Sequence, residues 1–266
     1  MRARGAGLSV ISITDHDTTG GSDAVQGFAR DAGVRLVPGI EISAVADGRD
    51  VHVLGYFIDT AAVPLQSFLD RQRDDRVRRV AEMGDRLSVL GFPIEVRPIL
   101  DAAARGRSVG RPQIASALVE AGHVRTPEEA FNRFLEFGGA VYVPRVGPSP
   151  AEVIAIVHAS GGLASLAHPG LTPRDHLIAP LAAAGLDALE AGHSDHDAAT
   201  EARYRALAED LGLLVTAGSD FHGDSSHRAG RLGKVALPAD DFDKLSRVAE
   251  NHRWRSRNRR SVCGEA

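Results

Sequence analysis

Short apolar runs alternate with stretches of helical pattern along most of the chain. The apolar runs have the length and composition of buried strands, and they cover residues 8–13, 34–43, 51–57, 162–167, 186–190 and 213–217. The helical patterns predict helices over residues 21–32, 151–159, 174–184, 198–211 and 239–250. Strands that alternate with helices through glycine-bearing turns are typical of βα units, so the pattern predicts an α/β fold with a parallel sheet.

The alternation stops between about Pro64 and Pro150, where residues at helical spacing predominate. The stretch DRQRDDRVRRVAEMGDRLSVLG places one apolar stripe along a helix, with arginines elsewhere: Val77, Val80, Met83, Leu87 and Leu90. Further helices are predicted over residues 99–105, 111–121 and 127–136, with a strand-like run at 140–144. We interpret this region as a helical insertion between two portions of an α/β barrel or sheet. The predicted domains are an N-terminal barrel part (1–64), the insertion (65–145), a C-terminal barrel part (146–250) and a basic tail (251–266).

The composition is that of a soluble globular protein. Hydrophobic residues make up 43% of the 266 residues and charged residues 25%, and a formal net charge of −4 gives no general reason to expect nucleic-acid binding. The single cysteine, Cys263, excludes an intramolecular disulfide and argues against a thiolate metal site. Neither a secretory signal nor a long apolar run is present, so we predict a cytoplasmic protein with no membrane contact and no stable protein partner.

The C-terminal segment NHRWRSRNRRSVCGEA carries arginines on both sides of Trp254. A basic run with an aromatic residue would suit contact with RNA or another phosphate-rich partner. We favour the simpler interpretation, a solvated and disordered tail over residues 251–266.

Histidines and acidic residues fall mainly at the ends of the predicted strands. In a parallel α/β barrel the carboxyl ends of the strands share one face, where loops build the active site. A lone histidine beside an apolar run is usually a hydrogen-bonded core residue, but here several strand ends each supply an imidazole or a carboxylate. The residues are Asp15, His16, Asp17, Glu41, His52, His168, Glu190, His193, Asp220 and His222.

Burying so many charges together would be costly, and metal coordination would compensate for it. Histidine, aspartate and glutamate without sulfur suit zinc, manganese or iron, so we predict a divalent metal site rather than a structural polar cluster. Such sites usually catalyse hydrolysis, with ions that activate water and neutralise charge on a phosphoryl group. Arg111 precedes Pro112, a residue preferred at the start of a helix, so Arg111 is either an anion clamp at a helix N-terminus or a surface arginine.

Taken together, eight segments resemble the PHP (polymerase and histidinol phosphatase) family of metallophosphoesterases, in its stand-alone bacterial branch with a helical insertion. They are GLSVISITDHDTTGG, GVRLVPGIEISA, VHVLGYFID, GRPQIASALVEAGHV, AVYVPR, GGLASLAHPG, GLDALEAGHSDH and LLVTAGSDFHG. The resemblance spans nearly all of residues 5–238. It implies a distorted (β/α)7 TIM-like barrel that holds up to three divalent ions of manganese, zinc or iron.

The resemblance also implies roles for individual residues. It assigns as metal ligands His16, Glu41, His52, His168, Asp220 and His222, with Glu41 as a bridge between two ions. Arg111 and His193 or His196 would contact the substrate phosphate. The implied reaction is hydrolysis of a phosphate ester of a nucleotide or short oligonucleotide by metal-activated water. Known activities of this branch are removal of the 3′-phosphate from nucleoside 3′,5′-bisphosphates and 5′-to-3′ trimming of short RNA.

Two departures from the family pattern change this expectation. Members begin with a strand carrying HxH and then SDG, followed by a helix, and this first βα unit is absent before GLSVISITDHD. Two histidines and an aspartate of the metal sites are therefore missing, so we expect fewer ions and an open barrel edge. A start codon assigned too far downstream explains this better than a degenerate paralogue. In addition, Gln113 stands where the branch usually has the histidine of GRPH.

Three hypotheses remain open. The first is a metal-dependent phosphoesterase, and the second is a non-catalytic or weakly active remnant of the family that binds metal or phosphate. The third, an amidohydrolase-type barrel, is disfavoured because the only lysines, Lys234 and Lys244, do not lie at a strand end. At the first strand end we expect Asp15 to orient His16, and Asp17 with Thr18 to cap the following helix.

Overall fold

One mixed sheet, with helices packed against it, forms most of the fold. The structure, a computed structural model, describes residues 2–171, 174–223 and 229–262, with only the backbone for the last ten. Among these residues six strands lie in chain order across a curled sheet: β1 (Val10–Ile13), β2 (Arg35–Ala46), β3 (Arg49–Tyr56), β4 (Leu163–Leu166), β5 (Ala188–His193) and β6 (Leu214–Gly218). Each overlaps a strand predicted from an apolar run, and the predicted α/β class is confirmed.

The third strand contradicts the prediction of an all-parallel sheet. Pairs β1–β2, β4–β5 and β5–β6 are parallel, whereas β3 is antiparallel to both β2 and β4. The turn Asp47-Gly48 joins β2 to β3, and its two residues have positive φ angles of 50° and 71°, as a two-residue hairpin turn requires. Because the chain reverses here, the beginning of β3 lies beside the C-terminal ends of β2 and β4.

Some of the helices pack against the sheet, and others form a separate helical region. They are α1 (Arg2–Gly5), α2 (Gly20–Asp31), α3 (Val63–Val89), α4 (Arg97–Ala104), α5 (Arg111–Glu120), α6 (Pro127–Ala130), α7 (Pro150–Ala159), α8 (Ile178–Ala183), α9 (Ala198–Asp210) and α10 (Ala239–Val262), with 3₁₀ turns at Pro169–Leu171, Asp175–Leu177 and Ala229–Arg231. The main core lies between the sheet and helices α3, α7, α8 and α9, where Ile42, Val53 and Leu189 are fully buried.

A second apolar core holds the region between residues 65 and 145 together. Along α3, Val80, Met83 and Leu87 are buried as the stripe predicts, and they pack against α4, α5 and the π-helical Phe131–Leu135. The outer stripe positions Val77 and Leu90 are 36% and 45% exposed. This separate core is what a helical insertion would need, although the domain boundaries themselves remain a prediction.

Two details of this helical region differ from the prediction. The arginines of α3 were expected off the stripe, yet Arg76 and Arg79 are buried. Residues 140–144 form no strand, and Val141 and Val143 instead pack into the helical core. An extended run becomes a strand only where another strand is available for its backbone hydrogen bonds, and here the neighbours are helices.

The helical core supports a test within one helix. Leu87→Ala is expected to lower the free energy of unfolding by about 2–5 kcal/mol, because Leu87 is fully buried and its truncation leaves a cavity. Val89 on the same helix is 87% exposed, so Val89→Ala should change that free energy by less than about 0.5 kcal/mol. Urea denaturation followed by circular dichroism measures both, and equal effects would contradict the second core.

The last helix is longer than predicted. Helix α10 runs to Val262, so residues 251–262, which we assigned to a disordered tail, are helical. The stretch from Ala239 to Val262 contains neither proline nor glycine, and nothing in it would end a helix. The rest of the predicted tail, with Cys263, and the side chains of its arginines and Trp254 lie outside the described residues.

Strands β1 and β6 are the two edges of the sheet in the described part of the chain. Both strands line a cavity of about 2010 Å³ that reaches from the apolar residues Val10 and Leu245 to His16 and His222. Among the described helices, none combines the length and the apolar character that a membrane crossing requires.

Candidate metal centre

The parallel pairing of β1 and β2 places His16 opposite Glu41. Beyond the end of β1 the pairing continues, because the Glu41 N–H donates to the Asp15 carbonyl (3.1 Å) and the Asp17 N–H donates to the Glu41 carbonyl (2.9 Å). His16 and Glu41 form an isolated parallel bridge. The antiparallel β3 brings His52 to the same place, opposite Ser43 of β2.

Three imidazoles converge on the buried Glu41 carboxylate. Its Oε1 lies 2.8 Å from His52 Nδ1 and 3.3 Å from His168 Nε2, and its Oε2 lies 3.8 Å from His16 Nδ1. Two of the nitrogens, His52 Nδ1 and His168 Nε2, are 3.3 Å apart. Both carboxylate oxygens therefore face imidazole nitrogens, an arrangement that a bridging carboxylate would have.

Burial and close contacts shift the pKa values of three residues of this cluster. Burial lowers the pKa of His16 to about 4, so its ring is neutral near pH 7. Burial raises the pKa of Glu41, but the nearby His16 and His52 outweigh it and hold that pKa well below its usual range. The pKa of His168, lowered by burial, is raised overall by its hydrogen bond to Glu41.

Two buried nitrogens of the cluster lack a hydrogen-bond partner within the described residues: Nδ1 of His16 and Nδ1 of His168. A buried polar atom without a partner costs free energy unless another group satisfies it. An ionised carboxylate surrounded by imidazole nitrogens, two of which lack a hydrogen-bond partner in the described part of the chain, fits Zn²⁺, Mn²⁺ or Fe²⁺. Within this cluster, the ligand atoms of His16, Glu41 and His52 lie within 4.8 Å of one another.

Asp220 and His222 lie at the end of β6, on the other side of His16. The rings of His16 and His222 are 6.2 Å apart, and His222 Nδ1 is 3.2 Å from Asp220 Oδ1. The backbone at both His168 (φ 29°) and Asp220 (φ 48°) is left-handed, which is unusual for residues other than glycine. Strained backbone of this kind concentrates at functional sites, and here it occurs at two of the six predicted ligands.

Glu190 is a second buried carboxylate beside the cluster. It lies on β5, and its Oε2 accepts a hydrogen bond from the backbone N–H of His168 (2.7 Å). Burial raises the pKa of Glu190. The sequence marks Glu190 as a strand-end acid but assigns it no role, whereas in the structure it supports the strained backbone that presents His168.

His193 is the last residue of β5 and His196 follows it, and both extend the row of imidazoles. Their ring centroids are 5.2 Å apart, and His193 is 5.6 Å from His168. His193 Nε2 faces Asp220 Oδ2 at 3.6 Å. His196 Nδ1 is 2.8 Å from the Ala191 carbonyl, and its Nε2 accepts from the Gly170 N–H at 3.2 Å, so both of its nitrogens contact backbone.

The expected roles of the acids beside His16 were wrong. Asp17 does not cap α2, whose N-cap is Thr19; instead its fully buried carboxylate accepts from the Ser43 N–H (2.9 Å) and pairs with Arg76 (2.6 Å). Asp15 turns toward the backbone of Gly21 rather than toward His16, and burial raises the pKa of Asp15. Thr18 Oγ1 accepts the Gly20 N–H (3.3 Å) at the start of α2, so the expected capping role of Thr18 is confirmed while that of Asp17 is not.

Four arginines gather beside the cluster, and the sequence singled out only one of them. They are Arg76 and Arg79 of α3, Arg111 of α5, and Arg145. The carboxylates that contact them are Asp17 and Asp50, while the nearby Asp75 pairs with Arg78. Guanidinium groups outnumber these two carboxylates, so the local charge is positive.

Two of these arginines also have buried N–H groups that make no hydrogen bond to any described residue, which favours an anion at this place. Nη2 of Arg79 and Nη1 of Arg145 are buried without a hydrogen-bond partner in the described residues. Burial, with Arg145 nearby, lowers the pKa of Arg79 to about 10, and burial also lowers that of Arg145. A buried surplus of cationic donors is what a bound phosphate would satisfy.

Arg111 lies at the first position of α5, as the sequence predicts. Its Nη2 is 3.2 Å from Asp50 Oδ2, and its guanidinium carbon is 5.9 Å from the centre of the Tyr142 ring. Gln113, which replaces the family histidine, accepts the Gly110 N–H (2.8 Å) and so caps this helix. Arg111 therefore borders the cavity at a helix N-terminus rather than extending freely from the surface.

Comparison with known proteins supports the geometry. None of the known protein-family models matches the chain. Its sequence is 31% identical over 226 residues to a 5′-3′ exoribonuclease of Haemophilus influenzae, a match that covers 83% of this chain and 82% of that protein. The chain belongs to the PHP family. It is also 29% identical over 230 residues to a 3′,5′-nucleoside bisphosphate phosphatase of Chromobacterium violaceum, over 83% and 79% of the two chains.

A solved structure shares the fold of this chain. A protein of Bifidobacterium adolescentis, described as a metal-dependent phosphoesterase, matches with a TM-score of 0.82 at 34% identity, over 92% of this chain and 87% of that one. Membership of the PHP family makes this chain a hydrolase of the phosphoesterase class. Its predicted use of divalent metal is confirmed at that level, and the ion's identity stays open.

Proposed function

We propose that this PHP protein hydrolyses a phosphate ester of a nucleotide or short RNA. The observation that carries the proposal is one shared cavity: its wall contains the histidine–carboxylate cluster around Glu41 and, directly beside it, the arginine cluster around Asp50. An imidazole–carboxylate site suits a divalent cation, and guanidinium groups suit a phosphate. Asp50 and His52, two residues apart on β3, join the two clusters.

The proposed metal ligands are the six residues predicted from the sequence: His16, Glu41, His52, His168, Asp220 and His222. Glu41 holds the central position, since its two oxygens face nitrogens from three different elements. A divalent ion bound there would supply Lewis acidity and an activated water for attack on phosphorus. Glu190 fixes the backbone of His168 and so orients one ligand ring.

The arginines position the phosphate and stabilise its charge. We assign Arg111 and Arg145 to this role because both border the cavity and share Asp50, which leaves donors for an anion. Arg79 adds positive charge behind them. His193 or His196 remains the proposed histidine contact to the substrate. His193 lies between His168 and Asp220, with its Nδ1 accepting the Asp195 N–H (3.1 Å), and both nitrogens of His196 contact backbone.

The same proposal extends to the fold. We infer that the six-stranded sheet is most of a distorted (β/α)7 barrel, and that residues 65–145 are an insertion. The open β1 and β6 edges, which line one cavity, and the separate core of α3–α6 support this interpretation.

Two substrates separate the activities of the relatives. Protein loaded with Mn²⁺ is incubated with adenosine 3′,5′-bisphosphate or with a 5′-phosphorylated RNA oligonucleotide, and products are resolved by chromatography and ³¹P NMR. Release of the 3′-phosphate, or stepwise release of 5′-nucleotides, supports the proposal and distinguishes its two forms. Bound metal with no hydrolysis of either substrate or of a panel of phosphoesters contradicts it and favours the non-catalytic remnant.

Arg111 offers a specific test of phosphate positioning. Arg111→Ala is expected to raise KM about 10- to 100-fold with a smaller change in kcat, because a charged hydrogen bond to substrate is lost. Arg125 is a matched control, because its side chain is 96% exposed and lies beside Glu129 rather than Asp50. Steady-state kinetics with both variants checks this. An unchanged KM for Arg111→Ala would remove Arg111 from the site.

A further inference from the structure

A second group of metal-ligating side chains lies at the opposite end of the sheet from the Glu41 cluster. It consists of His158 at the end of α7, Asp187 just before β5, and His252 on α10. Each offers one ligand atom, and these three atoms lie within 4.8 Å of one another. Asp187 and His193 stand at the two ends of β5, roughly 20 Å apart for six residues of strand. The group is therefore separate from the Glu41 cluster.

Asp187 is held firmly in this position. Its Oδ2 accepts the backbone N–H of Ala164 on β4 (2.8 Å) and faces His158 Nε2 (2.7 Å). An ionised carboxylate can accept about four hydrogen bonds or ligand contacts, so these two leave capacity for a cation. The side chain is mostly buried at 12% exposure, whereas His158 is 32% exposed. The carboxylate is thus fixed, and one histidine can adjust to it.

The packing of α10 against the sheet positions His252. Leu245 and Ala249 are buried against Leu163 and Ala188. His252 lies seven residues after Leu245 and three after Ala249, spacings that keep it on the same helix face. The rings of His158 and His252 are 5.7 Å apart at an angle of 70°. The buried stripe of α10 therefore ends in an imidazole directed toward His158.

We propose that His158, Asp187 and His252 form a second metal site of zinc type, which ties α10 to the β4–β5 end of the sheet. Two imidazoles and one carboxylate are a usual protein ligand set for Zn²⁺, with water completing a tetrahedron. At a Zn–ligand distance of about 2.0 Å, tetrahedral ligand atoms lie about 3.3 Å apart. In this structure His158 Nε2 and Asp187 Oδ2 are 2.7 Å apart and all three ligand atoms lie within 4.8 Å of one another, so small side-chain movements would reach that spacing.

The site joins three elements that are distant in sequence, so its role would be structural. An ion that binds only the folded chain stabilises it in proportion to the logarithm of its concentration over Kd. We therefore expect Zn²⁺ at 100 times Kd to raise the melting temperature by about 5 °C or more. This proposal does not rest on the phosphoesterase activity, because its readouts are metal content, melting temperature and the position of the ion.

The test uses the full chain with Zn²⁺ as the probe. Dialysed protein is analysed for zinc per chain, and crystals soaked in ZnCl₂ are measured on both sides of the zinc absorption edge. We expect an anomalous peak within coordination distance of all three residues, and His252→Gln should lose one zinc per chain and the associated rise in melting temperature. His176→Gln is the matched control, since His176 is 63% exposed and pairs with Asp47.

Wild-type crystals keep the test decisive if a variant folds poorly. No anomalous peak at His158, Asp187 and His252 under saturating zinc would overturn the proposal, and so would equal zinc content in His252→Gln and His176→Gln. His158→Gln provides a second variant from a different helix and should reproduce the loss seen for His252→Gln. Glu41→Gln should leave the anomalous peak at His158 in place, which separates the two sites.

Discussion

Glu41→Gln protein is expected to bind divalent metal at least about 100-fold more weakly than the wild type and to lose phosphoesterase activity to a similar or greater extent. The substitution keeps the shape of the side chain but removes the negative charge that three imidazoles share. It also replaces an acceptor oxygen with an NH₂ group, which would point at an imidazole nitrogen or at the cation. Glu41 is buried at the centre of the three imidazoles, so no other carboxylate takes this position among the described residues.

Metal titration by calorimetry and phosphate release under saturating Mn²⁺ measure the two effects of this substitution. Glu120→Gln serves as the control, since Glu120 is exposed at the end of α5 and should bind metal as the wild type does. If Glu41→Gln retained wild-type affinity and turnover, the cluster around Glu41 would not be the metal centre. If it kept affinity but lost turnover, Glu41 would act on the substrate instead of on the ion.

Asp17→Asn is expected to lower the free energy of unfolding by about 3–5 kcal/mol. Asp17 is fully buried and pairs with the buried Arg76. Replacing its carboxylate with a neutral amide leaves the charged guanidinium of Arg76 without that partner in a low-dielectric environment. Asp17 follows the end of β1 and Arg76 lies on α3, so the pair joins two elements that are distant in sequence. Burial raises the pKa of Asp17, but Arg76 and Arg145 outweigh it and lower that pKa overall, so the carboxylate is ionised near pH 7.

A double-mutant cycle separates the pair from its surroundings. Arg76→Met alone should also destabilise the protein, whereas the double variant should lose less than the sum of the single variants, because neither charge is then left unpaired. Asp31→Asn is the matched control: its side chain is 75% exposed, and its loss should cost less than about 0.5 kcal/mol. Additive effects in the cycle would show that Asp17 and Arg76 do not stabilise each other.

The strand ends were the most informative signal in the sequence. All six predicted strands form, and His16, Glu41, His52 and His168 come together as their placement at strand ends suggests. The orientation of β3 was missed, although Asp47-Gly48 is a typical hairpin signal that was available in the sequence. His52 reaches the site from the beginning of its strand, which only an antiparallel β3 allows.

The arginine cluster shows what sequence patterns leave out. Arg76 and Arg79 occupy the same helical stripe as Val80, Met83 and Leu87, so their spacing indicated burial, but a charged residue on a stripe is usually assigned to solvent. Their partners, Asp17 and the carbonyl of Val143, are 59 and 64 residues away. Pairing at such separation depends on the tertiary packing of α3 against distant parts of the chain, which local periodicity does not encode.

The β2–β3 hairpin also has a consequence for the order in which the protein folds. Glu41 and His52 lie eleven residues apart on its two strands, and isolated hairpins form within about 1–10 μs. His168 is separated from His52 by 116 residues, so its approach must await closure of a much larger loop. The nascent metal centre would then exist first as a two-ligand hairpin, and divalent ions present during folding should accelerate the later docking of β4 beside it.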